Sequence, residues 1–203
     1  MAKRILIFLL FIMAGNACRA GERYPGLQVG VTRQGDVYSF TASFDTTLSK
    51  CAAYHYLTDY QAARQLPGVI KSSFRRESAD HVKVDRIASE RILFFHVHIH
   101  SVMEYTEKPF DGISFRQVSG DSRMFRGNWE ILPRPQGSTL QFRGTWEPDT
   151  LIPNFIIDHF AENGLIDKFS AVARLGEKLK DQLSASCVRQ QVAAADTASV
   201  GNR

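Results

Sequence analysis

The spacing of apolar residues changes once along this chain, between Pro148 and Pro153, and that change limits the folds open to it. Before this point apolar and polar residues alternate, as they do in strands that bury one face. After it, apolar residues recur every three or four positions, which predicts one amphipathic helix of about 25 to 30 residues. Its apolar stripe consists of Leu165, Phe169, Val172, Leu175, Leu179 and Leu183. A single helix with one apolar face needs an apolar surface to cover, and the strands are the only candidate.

The part of the chain before this boundary predicts about seven antiparallel strands, with two short helices after the first. Residues 36–45 alternate cleanly between two faces and predict the first strand. Residues 47–57 and 59–66 predict the helices, the second ended by Pro67-Gly68. The other strands are expected at residues 69–77, 81–88, 91–105, 113–119, 123–132 and 139–147. Short strands at regular spacing favour one strongly curved sheet and an α+β fold.

Two stretches carry a resemblance to a known family. They are residues 57–68, which begin Leu-Thr-Asp-Tyr and end Leu-Pro-Gly, and residues 120–129, Gly-Asp-Ser-Arg-Met-Phe-Arg-Gly-Asn-Trp. With the intervening strands and the final helix, they resemble the START-like superfamily (SRPBCC), in particular bacterial polyketide cyclase/dehydrase or coenzyme Q-binding START-like domains. The resemblance covers roughly residues 34–180. It implies the helix-grip fold, in which a curved sheet wraps around the C-terminal helix and leaves an apolar cavity between them.

The first 20 residues have the layout of a secretory signal peptide. Lys3 and Arg4 precede nine apolar residues, and small residues follow up to Ala20. The apolar run is too short to span a bilayer core, which takes about 20 residues. We therefore expect cleavage and a periplasmic or secreted protein. Two alternatives remain, an uncleaved anchor and a lipoprotein tethered to the membrane through Cys18.

Removal of the leader defines the domain and its charge. The START-like domain is then residues 21–188, and the Ala-, Ser- and Thr-rich residues 189–203 are expected to be disordered. Without Lys3, Arg4 and Arg19, 22 basic residues face 21 acidic ones, so the net charge falls from +4 to +1. A chain so close to neutral is not drawn to nucleic acid, and we expect no such partner. The expected state is a monomer that contacts membranes only transiently.

Cys51 and Cys187 are the only cysteines after residue 20. In an oxidising compartment an even number suggests a disulfide, here between the first helix and the end of the last. In the chain-entropy model a bridge over a loop of this length contributes roughly 4–5 kcal/mol. The other interpretation is two separate thiols, because the sequence does not fix the distance between them.

Three histidines on one face of a predicted strand, His96, His98 and His100, are the most conspicuous metal-ligand candidates. The alternate positions, including Val97 and Ile99, are apolar and should face the core. We therefore expect the histidines on the wet, convex side of the sheet, in polar pairs and without a metal.

The sequence contains no recognisable catalytic motif. It lacks a Gly-x-Ser-x-Gly elbow, a phosphate-binding glycine loop, His-Glu-x-x-His and Cys-x-x-Cys. We predict no catalytic residue and no cofactor. In an enzyme with this sequence, His159, Asp121 and Glu130 would be the titratable groups to test.

The expected function is binding of a hydrophobic small molecule, such as a lipid, quinone or polyketide-like compound, by a carrier or chaperone. One alternative is a cyclase/dehydrase- or hydrolase-type enzyme that acts on a bound aromatic or polyketide substrate. Another is an interaction module whose own side chains fill the cavity. Strand and helix parity predict the lining residues, which are Phe40, Phe95, Val97, Ile99, Phe115, Phe125, Trp129, Phe142, Trp146, Phe160 and Phe169.

Overall fold

The computed structural model describes residues 22–92, 95–150 and 153–189, with the side chains of 90–96 and 159–163 outside the description. The predicted signal peptide and nearly all of the predicted disordered tail therefore lie outside the described residues. None of the helices in the described ranges is long and apolar enough to cross a membrane.

The described chain forms one antiparallel sheet of eight strands, with helices packed against it. In chain order the elements are β1 (Gln28–Gln34), β2 (Val37–Thr46), α1 (Lys50–Thr58), a 3₁₀ segment η1 (Ala62–Gln65), β3 (Val69–Arg76), β4 (His81–Ile92), β5 (Phe95–Lys108), β6 (Gly112–Gly120), β7 (Ser122–Arg134), β8 (Gly137–Pro148) and α2 (Asn154–Lys178). Residues 180–189 are helical again after a turn at Leu179. The strand order is β1-β2-β8-β7-β6-β5-β4-β3, so β2 and β8 are the only neighbours that are not consecutive along the chain.

The predicted α+β helix-grip fold is confirmed, but the strand count was one too low. The missing strand is β1, which pairs with β2 at one edge of the sheet in the register Val29 opposite Ala42. All of its side chains are exposed or partly exposed, and its apolar face is short, because Arg33 follows Val29 and Val31 on the same side. Because an edge strand of this kind buries little apolar surface, its sequence carries a weak strand signal. The two short helices consequently follow the second strand and not the first.

The two short helical segments have different bounds from those predicted. Ser49 caps α1 and begins it three residues later than expected, because its Oγ accepts a hydrogen bond from Ala52 N at 3.2 Å. In the second segment only η1 is helical, a single 3₁₀ turn whose Ala62 N donates to Asp59 Oδ1 at 2.9 Å. Pro67 and the positive φ of Gly68 (82°) then turn the chain into β3.

The block at residues 120–129 depends on two glycines. Gly120 has a φ of 135° at the turn between β6 and β7, and a Cβ there would overlap the carbonyl oxygen of His100. Gly127 lies in β7 where a Cβ would overlap the carbonyl oxygen of Arg143. Side chains at these positions would push neighbouring strands apart, which explains why the block contains glycine there.

Helix α2 lies on the inner face of the sheet and closes the core. Phe169, Ala173 and Leu175 are buried on its inward side. The ring of Phe169 lies 5.7 Å from that of Trp129 and 5.1 Å from that of Phe142, measured between ring centroids. Each fully buried side chain of this size contributes about 1.5–3 kcal/mol to folding, so this cluster fixes α2 to the sheet.

A carboxylate near the end of α2 holds it to the loop before α1. Glu177 Oε1 accepts hydrogen bonds from Thr46 Oγ1 and Thr47 N, both at 2.8 Å, and from the hydroxyl of Tyr24 at 3.2 Å. Burial acts to raise the pKa of Glu177, but these hydrogen bonds outweigh it and hold the pKa below its usual value. The ionised form of Glu177 is therefore the one that stabilises the fold.

Candidate functional site

An apolar cavity of about 190 Å³ lies between the α1–η1 segment, strands β4 to β7 and helix α2. The residues that line it are Tyr56, Leu57, Asp59, Tyr60, Ala62, Ala63, Leu66, Arg86, Tyr105, Ile113, Trp129, Val172 and Leu175. Tyr56, Tyr60, Tyr105 and Ile113 are buried, whereas Asp59 is exposed and marks the side on which the cavity meets solvent. The cavity therefore has an apolar interior and one wet end.

A second depression, of about 220 Å³, lies near the start of α2 and is a weaker candidate. Its lining is Asp36, Arg123, Pro148, Thr150, Pro153 and Asn154. The polar groups there pair with protein groups, since Asn154 Nδ2 donates to Asp36 Oδ1 at 2.8 Å and Arg123 forms ion pairs with Glu147 and Asp149. A polar surface cleft of this kind offers little apolar area for a ligand to bury, so we take the apolar cavity as the candidate site.

Among the predicted lining residues, Trp129 is the one that the structure places in the cavity wall. Phe115, Phe142 and Phe169 lie beside it in the aromatic core, where the rings of Phe115 and Phe142 stack at 6.0 Å. Phe125 packs on Phe115 with a ring distance of 5.1 Å. These side chains support the wall behind Trp129, and direct contact between them and a ligand stays a prediction.

The remaining predicted lining residues lie farther from the cavity or outside the described side chains. Phe40 and Trp146 pack around Tyr38, with ring distances of 6.2 Å and 5.6 Å from it. Val97 and Ile99 are partly exposed near the start of β5. The side chains of Phe95 and Phe160 lie outside the described residues.

The sequence reasoning missed the wall that α1 and η1 contribute. The first of the two stretches that carried the family resemblance, residues 57–68, contributes Tyr60 and Leu66 to this wall. Tyr56 directly precedes this stretch. Helical spacing does not relate Tyr56 to Tyr60, because α1 ends at Thr58 and Tyr60 lies in the turn before η1. The structure shows that both residues line the cavity.

Three polar side chains in the cavity wall, those of Tyr56, Asp59 and Tyr60, have protein partners. The Tyr56 hydroxyl donates to the Val172 carbonyl oxygen at 2.6 Å. The Tyr60 hydroxyl donates to Glu107 Oε1 at 3.0 Å, and Asp59 Oδ1 accepts from Ala62 N. Arg86 differs from these groups, because its Nε is buried and has no hydrogen-bond partner among the residues that the structure describes.

Behind Tyr60, a buried carboxylate is surrounded by donors. Arg76 Nη1 and Nη2 reach the two oxygens of Glu107 at 3.1 and 3.0 Å. The hydroxyls of Tyr54 and Tyr60 donate to the same carboxylate at 3.2 and 3.0 Å. We call these four residues the Glu107 cluster. It joins α1 and the loop after it to β3 and β5.

The tyrosines of this cluster remain protonated. Burial, followed by the negative charge of Glu107, raises the pKa of Tyr54 to about 12 and raises that of Tyr60 further. Neither hydroxyl is a base near neutral pH, and both donate their protons to Glu107. The cluster thus links its elements through hydrogen bonds to one buried carboxylate.

The catalytic candidates from the sequence whose side chains are described lie away from the cavity. Asp121 Oδ2 accepts from His100 N at 2.7 Å, at the β6–β7 turn. Glu130 interacts with Asn128 and with Arg143 across β7 and β8, on the face of β7 opposite Trp129. The side chain of His159 lies outside the described residues.

The predicted histidine face is on the outer side of the sheet. His98 is exposed, and His100 Nε2 lies 2.9 Å from Asp85 Oδ1, while the side chain of His96 is not described. Met103 and Tyr105, at the alternate positions of β5, are buried. The histidines described thus point away from the core, as alternation predicts.

Cys51 and Cys187 are joined in the structure, with an Sγ–Sγ distance of 2.12 Å and a Cα–Cα distance of 6.1 Å. The bond links α1 to helical residues 180–189 and so ties the cavity wall formed by α1 to the end of the domain. Within the described part of the chain, Cys51, Cys187 and His55 form the group whose ligand atoms lie close enough to hold a metal, within 4.8 Å. Because the two sulfurs are bonded to each other, neither is a thiolate ligand.

No family model and no curated protein matches this sequence. Solved structures match its fold. A STAR-related lipid transfer protein from Xanthomonas axonopodis is 16% identical and has a TM-score of 0.65, over 77% of this chain and 96% of that chain. A Thermus thermophilus protein is 13% identical with a TM-score of 0.61, over 73% of this chain and 98% of that chain.

An aromatase/cyclase from Streptomyces also has this fold. It is 10% identical to the chain, with a TM-score of 0.57 over 70% of this chain and 96% of that chain. At such identities the likeness concerns the fold, and it confirms at that level the resemblance to START-like proteins. The chain thus shares its fold with a lipid transfer protein and an aromatase/cyclase, and this likeness leaves its own ligand and role open.

Proposed function

We propose that this protein binds an apolar small molecule in the cavity beneath η1 and α2 and acts as a carrier or chaperone for it. The observation that carries the proposal is the cavity itself, which is lined by Trp129, Ile113, Leu175 and three tyrosines and lies beside an aromatic core. Convergent apolar walls with few polar groups are typical of sites for hydrophobic ligands.

The size of the cavity limits what fits without movement. Ligand sites for drug-sized molecules measure about 300–1,000 Å³, and this cavity has about 190 Å³. An engineered apolar cavity of about 150 Å³ in another protein binds benzene. One ring or a short alkyl chain therefore fits the cavity as it stands, and a larger lipid or quinone would require η1 or α2 to move outward.

The carrier role is favoured over catalysis by the groups that face the cavity. Asp59 is its acidic lining residue, and that carboxylate caps η1 at the exposed end. Tyr56 and Tyr60 use their hydroxyls in hydrogen bonds to the protein. A general acid or base needs a titratable group within reach of the bound substrate, and the described lining offers no pair of such groups.

Ligand binding is tested by mass spectrometry and by fluorescence. The protein is purified gently, its native mass is compared with its denatured mass, and extracted ligand is identified. A lipid and quinone panel is then titrated while Trp129 fluorescence is followed in a Trp146→Phe background, because Trp129 lines the cavity and Trp146 does not. We expect a stoichiometric ligand or a saturable change in fluorescence. A protein that carries no ligand and binds none of the panel would contradict the proposal.

A matched pair of variants locates the binding. Val172→Phe adds a ring at the cavity wall and should abolish the fluorescence change. Val118→Phe adds the same atoms at a position 37% exposed on β6 and should leave binding unaltered. Equal effects of the two variants would place the ligand elsewhere.

We also propose that the protein is exported before it binds its ligand. Lys3 and Arg4 followed by nine apolar residues support export, and an oxidising compartment suits the pairing of Cys51 with Cys187. The intact mass of protein recovered from a bacterial periplasm tests this. Loss of about 20 N-terminal residues is expected, a lipid adduct on Cys18 would indicate the tethered alternative, and a full-length cytoplasmic product would contradict export.

A further inference from the structure

We propose that Arg86 binds the carboxylate of an acidic apolar ligand, so that the cavity selects a monocarboxylate over a neutral molecule of the same size. This inference rests on the proposed function, because it assigns a polar anchor to the same cavity. It commits to a ligand with one ionised end and an apolar body no larger than one ring or a short chain.

The position of Arg86 in the sheet makes it unusual. On β4 it follows Val82 and Val84, both buried, so alternation directs its side chain to the inner face. There it lines the cavity with Trp129 and Tyr105. An arginine at an inward position of a sheet normally has an acidic partner, because removing a guanidinium from water without one is unfavourable.

No such partner is found among the described residues. The cross-strand neighbours of Arg86 are Ser72 on β3 and Ser101 on β5. The Ser72 hydroxyl already has a partner, since its Oγ donates to the Tyr60 carbonyl oxygen at 2.8 Å. By contrast Arg116, on the outer face, lies directly opposite Glu104 and forms an ion pair with it.

The acidic residue of the cavity wall does not satisfy Arg86 either. Asp59 Oδ1 accepts from Ala62 N at the start of η1, and no ion pair joins Asp59 to Arg86. Nε of Arg86 is buried and without a hydrogen-bond partner within the described structure. Arg86 therefore lines the cavity with a guanidinium whose Nε–H is unpaired and for which no acidic partner is found in the described part of the chain.

The chemistry of this donor identifies the class of ligand. A guanidinium is ionised at every physiological pH and offers parallel N–H groups that match the two oxygens of a carboxylate. The resulting paired hydrogen bonds are stronger than those to a neutral hydroxyl or carbonyl oxygen. The apolar remainder of the ligand would then lie against Trp129, Ile113 and Leu175.

The test compares two probes of equal chain length, octanoate and 1-octanol, at neutral pH where the acid is ionised. Their affinities are measured by calorimetry or Trp129 fluorescence for the wild-type protein, Arg86→Met and Arg86→Lys. Arg143→Met is the matched control, because Arg143 is 60% exposed and pairs with Glu130 outside the cavity. Thermal unfolding of each variant checks that it is folded.

We expect the wild-type protein to bind octanoate more tightly than 1-octanol. Arg86→Met should weaken octanoate binding roughly 10- to 100-fold and change 1-octanol binding by less than about threefold. Arg86→Lys should retain part of the preference, because it keeps the charge and loses the paired geometry. Arg143→Met should match the wild-type protein.

Two results would overturn the inference while the proposed function stands. One is equal binding of the two probes by the wild-type protein, and the other is an Arg86→Met variant that binds octanoate as the wild-type protein does. An equal loss of both probes in a folded Arg86→Met variant would also overturn it, because the side chain would then shape the cavity without selecting the acid. Failure of the wild-type protein to bind either probe would instead contradict the proposed function, and the inference with it.

Discussion

The Glu107 cluster and the cavity wall at Arg86 place charged side chains in two different surroundings, one rich in hydrogen-bond partners and one poor in them. Glu107 is buried and accepts hydrogen bonds from Arg76, Tyr54 and Tyr60. Arg86 has a buried Nε without a partner in the described structure. Tyr60 belongs to both regions, because its hydroxyl donates to Glu107 and the same residue also lines the cavity.

This difference separates a structural role from a binding role. Donors around a buried negative charge replace much of the stabilisation that water would give it. Removal of one donor leaves the charge incompletely paired. A buried donor without a partner, such as Arg86 Nε, lowers the stability of the free protein, and a ligand that pairs with the guanidinium stabilises the complex. The Glu107 cluster should thus matter for folding, and Arg86 for binding.

The largest expected effect on stability is that of Arg76→Met. It leaves the Glu107 carboxylate buried without its cation, and we expect the free energy of unfolding to fall by about 2–3 kcal/mol. The Arg76 side chain is 45% exposed, which keeps this value below that of a fully buried pair. Urea-induced unfolding measures the change.

The neighbouring Arg75→Met is the control for that change. Arg75 pairs with Glu77 and is 77% exposed, so its removal should alter the unfolding free energy by less than about 0.5 kcal/mol. If both variants lost the same stability, the pairing of Glu107 would not be the cause.

Tyr60→Phe should have an intermediate effect. It removes one hydrogen bond to Glu107 and keeps the ring, which packs 4.9 Å from that of Tyr105, so the unfolding free energy should fall by about 1 kcal/mol. Affinity for 1-octanol should stay within about threefold of wild type, because the lost hydroxyl faces away from the cavity. A variant with unchanged stability and weakened 1-octanol binding would reverse the roles assigned to the two regions.

Arg86→Met should leave the stability of the ligand-free protein unchanged or raise it by up to about 1 kcal/mol. The reason is that the substitution removes an unpaired buried donor and inserts an apolar side chain of similar length. The same urea experiment measures it. A loss comparable to that of Arg76→Met would show that Arg86 holds the fold together.

The smallest effect is expected at Glu177, whose carboxylate is paired but only partly buried. Its pKa in the folded protein lies below the ordinary value of 4.5, so its contribution to stability is present above that pH and is lost as the pH falls through the lower, folded-state pKa. Glu177→Gln should therefore flatten the decline of the unfolding temperature on acidification below about pH 4.5. If the unfolding temperatures of the two proteins depended on pH in the same way, Glu177 would not provide this pH-dependent stability.

Much of the fold could be predicted from apolar spacing alone. The change of period after Pro148 marks α2, and the alternation in β2 places Tyr38, Phe40 and Phe44 in the core. β1 was not predicted, because it is an edge strand that buries little surface and its apolar alternation stops after Val29 and Val31. Local spacing predicts elements that bury one whole face, and it predicts others poorly.

The site was harder to predict, because a cavity depends on how separate elements meet. Trp129 lies in the cavity wall, and its contact with a ligand stays a prediction. The predicted aromatics beside it pack on one another, and α1 with η1 forms a wall that the sequence analysis did not include. Arg86 carried a readable signal, since it occupies an inward position after Val82 and Val84. Lys83 and Asp85 lie at the alternate positions of the same strand, and no local pattern shows whether an inward arginine has a partner across the sheet.

The measurement that addresses these ideas most directly is a crystal structure of the protein with octanoate. We expect the carboxylate oxygens about 2.7–2.9 Å from Nε and a terminal nitrogen of Arg86, with the alkyl chain against Trp129. Octanoate bound outside the cavity, or inside it with its carboxylate turned to solvent and Arg86 unpaired, would contradict the role given to this arginine.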